Sequence, residues 1–256
     1  MDYKQKCLAF FAGILSMMLF ISETNANPVK EDRYFFEKQG RAIWEVPTEK
    51  KVVAITFDDG PSEKYTPQIL DVLKKYDAKA TFFVVGSRLI DQPDIVKRQV
   101  KAGHELANHT YDHPNFRGLT EVEIRDEIRK TKKAIFDLTG YYPVLFRPPG
   151  GFYNNTIIST ANNEGYTVVM WSWHQDTYDW KQPGVNKIVR KVVKNVKNGD
   201  IILMHDYGGN RRQTVEALKQ IIPALEKKGY RFITVSELIK MHPNYRYLER
   251  IGKINS

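Results

Sequence analysis

Asp58 and Asp59 follow the apolar run Val52-Val53-Ala54-Ile55 and stand directly before Gly60-Pro61. Two carboxylates at the mouth of a buried strand are costly unless partnered, because desolvation opposes their ionisation. The usual partners are a metal ion or an arginine, and residues for both occur later in the chain. His109 and His113 are spaced i and i+4, so a helical turn there would put both imidazoles on one face, ready for one metal. Two histidines and one aspartate leave coordination positions open to water and substrate, which is the pattern of a catalytic site. Ligand type favours zinc, with cobalt, nickel, iron and manganese as alternatives. Arg147, within Arg147-Pro-Pro-Gly-Gly151, is a guanidinium able to hold a carboxylate. Asp176, Asp179, Trp180 and His205 complete the polar and aromatic candidates.

Such residues need a frame that gathers them. Short β-rich runs occur at 51–57, 80–85, 104–107, 144–146, 166–171, 200–204 and 231–233. Amphipathic helical patterns occupy 65–76, 93–102, 120–138, 154–163, 184–197, 212–228 and 236–241, with glycines at several of their ends. Seven mostly apolar strands alternating with helices predict a parallel sheet closed, or nearly closed, into a barrel, with an open doubly wound sheet as the alternative. Parallel α/β barrels carry their sites at the C-terminal ends of the strands. The candidates follow the first, third, fourth, fifth and sixth runs, and that repetition makes them a constellation rather than five coincidences.

The 256-residue chain has ordinary hydrophobic (42%) and charged (27%) content and a formal net charge of +9. A basic balance favours acidic surroundings such as an anionic cell wall, lipid or nucleic acid, although a solvated basic surface is the simpler explanation. Residues 1–26 read as a signal peptide, or else an uncleaved membrane anchor: Lys4 and Lys6, an apolar stretch from Cys7 to Ile21, then small residues up to Ala26. Cys7 is the only cysteine, so thiolate metal sites and cysteine nucleophiles are excluded from the remainder. Residues 27–47, charged and aromatic without a period, are expected to form a loosely packed spacer. The polar, basic stretch 242–256 is expected to fray.

Five motifs together resemble the NodB-type polysaccharide deacetylases, carbohydrate esterase family 4: Thr56-Phe-Asp-Asp-Gly60, His109-Thr-x-x-His113, Arg147-x-Pro149, Asp176-x-x-Asp179-Trp180 and Leu203-Met-His205. The resemblance covers about residues 48–240. It implies a distorted (β/α)7 TIM-like barrel, expected here as a single catalytic domain over 48–241, and a divalent metal held by Asp59, His109 and His113. It implies Asp58 as general base held by Arg147, and His205 as general acid oriented by Asp179. Trp180 and Leu203 would line a pocket for the acetyl methyl. A backbone N–H of the 147–151 loop would meet the oxyanion. The family usually carries an aromatic residue where this chain has Gly150, so Phe152 or Tyr153 is expected to fill the sugar-side gap.

The expected reaction is hydrolytic removal of N-acetyl groups from an amino-sugar polymer, with peptidoglycan N-acetylglucosamine favoured by export and positive charge. N-acetylmuramic acid, chito-oligosaccharide or O-acetyl xylan are alternative substrates, and an inactive carbohydrate-binding homologue is the alternative of another class. The expected partners are the polysaccharide alone, with no nucleic acid and no membrane contact beyond an uncleaved anchor, and the chain is expected to act as a secreted or wall-associated monomer. Asp176 is read as a structural hydrogen-bonding residue. His104 is read as a satisfied histidine at the far end of its strand, and His174 as lying near the barrel top among Trp171 and Trp173.

Overall fold

The structure, a computed structural model, describes residues 32–242. The expected signal segment, residues 27–31 of the expected spacer and all but His242 of the tail lie outside the described residues. Eight strands occur in this range: β1 Ala42–Ile43, β2 Val52–Asp58, β3 Ala80–Val84, β4 Glu105–Asn108, β5 Leu145–Phe146, β6 Thr167–Val169, β7 Ile201–His205 and β8 Arg231–Phe232. Every strand pair is parallel, in the order β1-β6-β5-β4-β3-β2-β7, and β8 adds to the start of β2. The helices are α1 Arg33–Lys38, α2 Thr66–Lys75, α3 Gly86–Asp91, α4 Pro93–Lys101, α5 Glu121–Thr139, α6 Asn155–Asn163, α7 Val185–Asn195, α8 Arg212–Lys227 and α9 Val235–Ile239. This is the distorted (β/α)7 barrel expected from the sequence. Its distortion lies between β1 and β7, which among the described residues do not pair as strands; an antiparallel Glu45–Asp200 bridge and the Asp176–Leu203 bridge of the segment after β6 lie between them.

Strand parity explains why the polar residues face inward. Every residue of β2 is buried, as expected of a parallel strand covered on both faces. Val53, Ile55 and Phe57 pack outward with the helices, beside Phe82 and Val84 of β3 and Ile202 and Met204 of β7. Val52, Ala54, Phe83, Ala107, Leu145, Val169 and Ile201 point the other way and fill the barrel with α9 residues Val235, Leu238 and Ile239. Because side chains alternate along a strand, Thr56 and Asp58 continue the inward set of β2, and Leu203 and His205 that of β7. The β2–β7 register pairs Asp58 with His205 directly.

Two local expectations change. The expected loose spacer is instead packed into the domain from Asp32 onward. Asp32 caps α1, β1 adds an edge to β6, and Phe36, Ile43, Trp44 and Val46 are fully buried. Arg41 reaches α6 at Asn155 (3.1 Å), Ser159 (2.6 Å) and Asn162 (3.2 Å). A two-residue strand is too short to show a period of two, which is why the sequence pattern conceals it. Replacement of Phe36 by Ala is expected to cost about 3–4 kcal/mol in urea unfolding, the usual figure for an emptied aromatic site; a loosely packed spacer would lose under about 0.5 kcal/mol. The second change is α3, unforeseen because its six residues bury only Gly86 and Leu89 and leave no amphipathic signature.

Candidate active site

The consecutive aspartates at the end of β2 part ways. Asp58 is still strand and points into the barrel, whereas Asp59 has φ +76° and swings toward the neighbouring loop. Arg88 of α3 donates to the Asp59 carbonyl, fixing this uncommon conformation. Gly60 must lack a side chain, since a Cβ there would overlap the Asp206 carboxylate. Asp206 is fully buried and its pKa is pushed up to about 7 by that burial. It accepts from Thr66 Oγ1 (2.5 Å), which in turn accepts from Ser62 N (2.7 Å). Asp206 and Thr66 thus brace the loop after Asp59, a role that nothing in the sequence pattern signals.

Asp58 Oδ1 lies 2.6 Å from Arg147 Nη1. Arg147 is wholly buried, and its other contacts are Thr56 Oγ1 (2.9 Å), the carbonyls of Val169 (2.9 Å) and Met170 (2.7 Å), and the face of Phe83. A buried cation with one carboxylate and three neutral acceptors is well satisfied, and the same bonds hold the Asp58 carboxylate in one orientation.

From His109 to His113 the chain makes no helical turn. The stretch is a loop bent by left-handed backbone at Thr110 (φ +71°) and His113 (φ +55°). Asn108 Oδ1 accepts from Thr110 N (2.9 Å), Thr110 Oγ1 from His113 N (3.1 Å), and Glu127 from the N–H groups of Tyr111 and Asp112 (2.9 Å each). The folded loop still brings the two rings to 5.1 Å between centroids. His113 Nε2 and His109 Nε2 lie 3.1 and 3.5 Å from Asp59 Oδ1, and the three ligand atoms fall within 4.8 Å of one another. His109 Nδ1 donates to the Arg147 carbonyl (2.7 Å). An acceptor at Nδ1 puts the proton there and leaves Nε2 as the bare nitrogen a metal requires. The donor set therefore fits a divalent cation, with three ligands and positions to spare.

Opposite, His205 Nδ1 bonds Asp179 Oδ1 (2.7 Å), and Asp179 Oδ2 accepts from His205 N (2.9 Å) and Thr214 Oγ1 (2.7 Å). Burial alone would lower the His205 pKa, but the charge and hydrogen bond of Asp179 outweigh it and raise it to about 9. Burial likewise works to raise Asp179, and the His205 charge holds it below the ordinary carboxylate value instead. With Nδ1 turned to Asp179, the other ring nitrogen is the one left for the cavity.

Asp58, Asp59, His109, His113 and His205 line one cavity of about 250 Å3, together with Gly150, Gly151, Trp171, Asp176, Trp180 and Leu203. Leu203 is buried and Trp180 half-exposed, so one forms the inner wall and the other the lip. In the 147–151 loop, Pro148 and Pro149 have no N–H and Gly151 N donates to the Pro148 carbonyl. The Gly150 N–H is the donor these bonds leave over in the loop, and Gly150 lines the cavity. Gly150 has φ +64°, and a Cβ on it would stand 3.0 Å from the Phe152 ring. The Phe152 ring thus lies beside Gly150 but is not among the residues lining the cavity.

Tyr153 does not line the cavity. It packs edge-on against Phe36 and Trp44, on the side of the N-terminal segment whose burial the sequence concealed. Asp176 accepts from Tyr178 N (3.1 Å), a structural hydrogen bond as expected, and it also lines the cavity. His174 is not near the top of the barrel. Its Nε2 meets Asp200 Oδ2 (3.0 Å) just before β7. His104 is satisfied by Ala80 N at the far end, its pKa lowered to about 4 by burial and by Lys79 and Arg98.

Residues 45–169 match the family model for polysaccharide deacetylase. A peptidoglycan-N-acetylglucosamine deacetylase of Bacillus cereus is 50% identical over 204 residues, covering 80% of this chain and 95% of that protein. The peptidoglycan-N-acetylglucosamine deacetylase PgdA of Listeria monocytogenes is 41% identical over 196 residues, which cover 76% of this chain and 40% of the longer protein. Among solved structures, the Bc1960 peptidoglycan N-acetylglucosamine deacetylase, in complex with 4-naphthalen-1-yl-N-oxidanyl-benzamide, superposes with a TM-score of 0.77 at 38% identity, covering 81% of this chain and 96% of that one.

Proposed function

The chain belongs to the polysaccharide deacetylase family, and from that membership we propose that it hydrolyses N-acetyl groups from a cell-wall amino-sugar polymer, with peptidoglycan N-acetylglucosamine as substrate. The observation that carries the reading is convergence. A carboxylate held by a buried arginine, a three-ligand cluster and a carboxylate-bound histidine all face one cavity.

Asp59, His109 and His113 would hold the metal, and two imidazoles with one carboxylate favour zinc, while cobalt, nickel, iron and manganese take the same ligands. When bound, such an ion lowers the pKa of water toward neutrality and polarises the acetyl carbonyl. Asp58, oriented by Arg147, takes the proton of the attacking water. The Gly150 N–H donates to the oxyanion that develops as the water oxygen bonds the acetyl carbon. His205, charged through Asp179, gives its proton to the nitrogen as the C–N bond breaks, releasing acetate and a free amine. Leu203, Trp171 and Trp180 surround the acetyl methyl. Export through residues 1–26 belongs to the same proposal. It is supported by the charged, apolar and small-residue order of that segment and by the location of the polymer.

The test is acetate release by the purified protein with one equivalent of zinc, on peptidoglycan and on chitopentaose in parallel. Release from peptidoglycan is expected. Release from chitopentaose alone would replace the substrate, and release from neither would overturn the reading.

A further inference from the structure

Three side chains at the rim of the cleft have no part in the chemistry above. Arg88 lies over the ring of Tyr207, with 3.8 Å from its guanidinium carbon to the ring centroid, while donating to the carbonyl of the ligand Asp59. Arg117 lies 4.7 Å over Phe152, the ring that packs beside Gly150. Lys181 sits between two rings, 4.7 Å from Trp180 and 4.9 Å from Tyr178. Asp59, Gly150 and Trp180 all line the cavity, so Arg88 and Lys181 stand one residue outside it and Arg117 stands beyond Phe152, the neighbour of Gly150. Among the described residues, none of the three has a carboxylate within ion-pair distance.

A cation resting on an aromatic face is held in place by the ring quadrupole while its outer edge stays open to solvent. Tyr178, Trp180 and Tyr207 are substantially exposed, and their rings offer sugar a stacking surface at the same points. Meanwhile the floor of the cleft carries the acids Asp58, Asp59 and Asp176. A neutral glycan gains nothing from rim cations, whereas a glycan with acids on its flanking sugars finds three fixed counter-charges outside the reacting centre.

We propose that Arg88, Arg117 and Lys181 make the cleft selective for an amino-sugar polymer that carries carboxylates on the sugars flanking the acetylated one. This rests on the deacetylase reading and names the feature by which the site distinguishes its substrate from neutral chitin-like chains. Arg88 also supports Asp59, so the test uses the other two cations.

The experiment compares acetate release from three probes: peptidoglycan-derived glycan fragments with free carboxylates, the same fragments with those carboxylates converted to methylamides, and chitopentaose. Each is measured at low and high ionic strength on the full chain, on Arg117→Gln/Lys181→Gln, and on the charge-keeping Arg117→Lys/Lys181→Arg. Wild type is expected to favour the acidic fragments over the amidated ones by about tenfold at low salt, through KM rather than kcat, with about threefold from each exposed cation. High salt should erase the preference. The neutral double variant should lose most of it and the charge-keeping variant retain it, while all three proteins treat chitopentaose alike. Equal KM on acidic and amidated fragments in wild type, or a preference that survives in the neutral double variant, would overturn the proposal. Acetate from none of the probes would overturn the deacetylase reading, and this inference with it.

Discussion

Asp58→Asn is expected to lower kcat about a thousandfold on any substrate the enzyme deacetylates, within the range for loss of a positioned general base. The amide keeps the shape of the carboxylate and an acceptor for Arg147 but cannot accept the water proton. KM and bound metal should stay near wild type, because Asp59, His109 and His113 are untouched. The substitution also removes the one counter-charge of a fully buried guanidinium. A half-broken buried pair typically costs about 3 kcal/mol or more, so the melting temperature should fall as well. Kinetics, metal content and thermal unfolding on one preparation separate the two effects. A variant of unchanged stability with near-normal kcat would show that another group takes the proton.

Asp179→Asn should act through pH. In wild type the His205 pKa is raised to about 9, so the histidine carries its proton through neutrality and loses it only as pH climbs past that value. The alkaline limb of kcat belongs there. Without the Asp179 charge, burial disfavours the imidazolium and only the more weakly acting Asp58 and Asp59 oppose it. The limb should then move down toward the ordinary histidine range, and kcat at pH 8 should fall by about tenfold or more. Partial recovery of activity at acid pH would distinguish loss of the proton from loss of structure. An alkaline limb that stays near pH 9 in the variant would remove His205 from the role of acid.

The frame and the chemistry were legible in the sequence for a physical reason. Long apolar strands such as 52–58 and strongly periodic helices such as 120–138 cannot be anything else, and carboxylates, imidazoles and an arginine at strand ends are too costly to place there by accident. What stayed hidden depends on contacts the local sequence does not encode. A two-residue strand at Ala42–Ile43 has no period, so the N-terminal segment looked like a spacer and Tyr153, which packs on it, looked free to line the cleft. The left-handed turns at Asp59, Thr110 and His113 occur at non-glycine residues, so the histidine pair suggested a helical turn it does not make. Asn108, Glu127 and Thr214 support the site from positions of ordinary type, where only the fold gives them meaning.

Asp58 and His205 occupy opposed positions on neighbouring strands, joined by the β2–β7 ladder. Adjacent strands are held about 4.8 Å apart by their main-chain hydrogen bonds, so the backbone separation of Asp58 and His205 is a property of the sheet. The rim side chains Arg88, Arg117, Phe152, Trp180 and Tyr207 do not set it. Substituting those side chains can therefore retarget the enzyme to a different polymer while the spacing of Asp58 and His205 stays unchanged. Substrate choice and chemical competence can diverge independently in descendants of this scaffold, and an engineer could graft a foreign rim without rebuilding the floor.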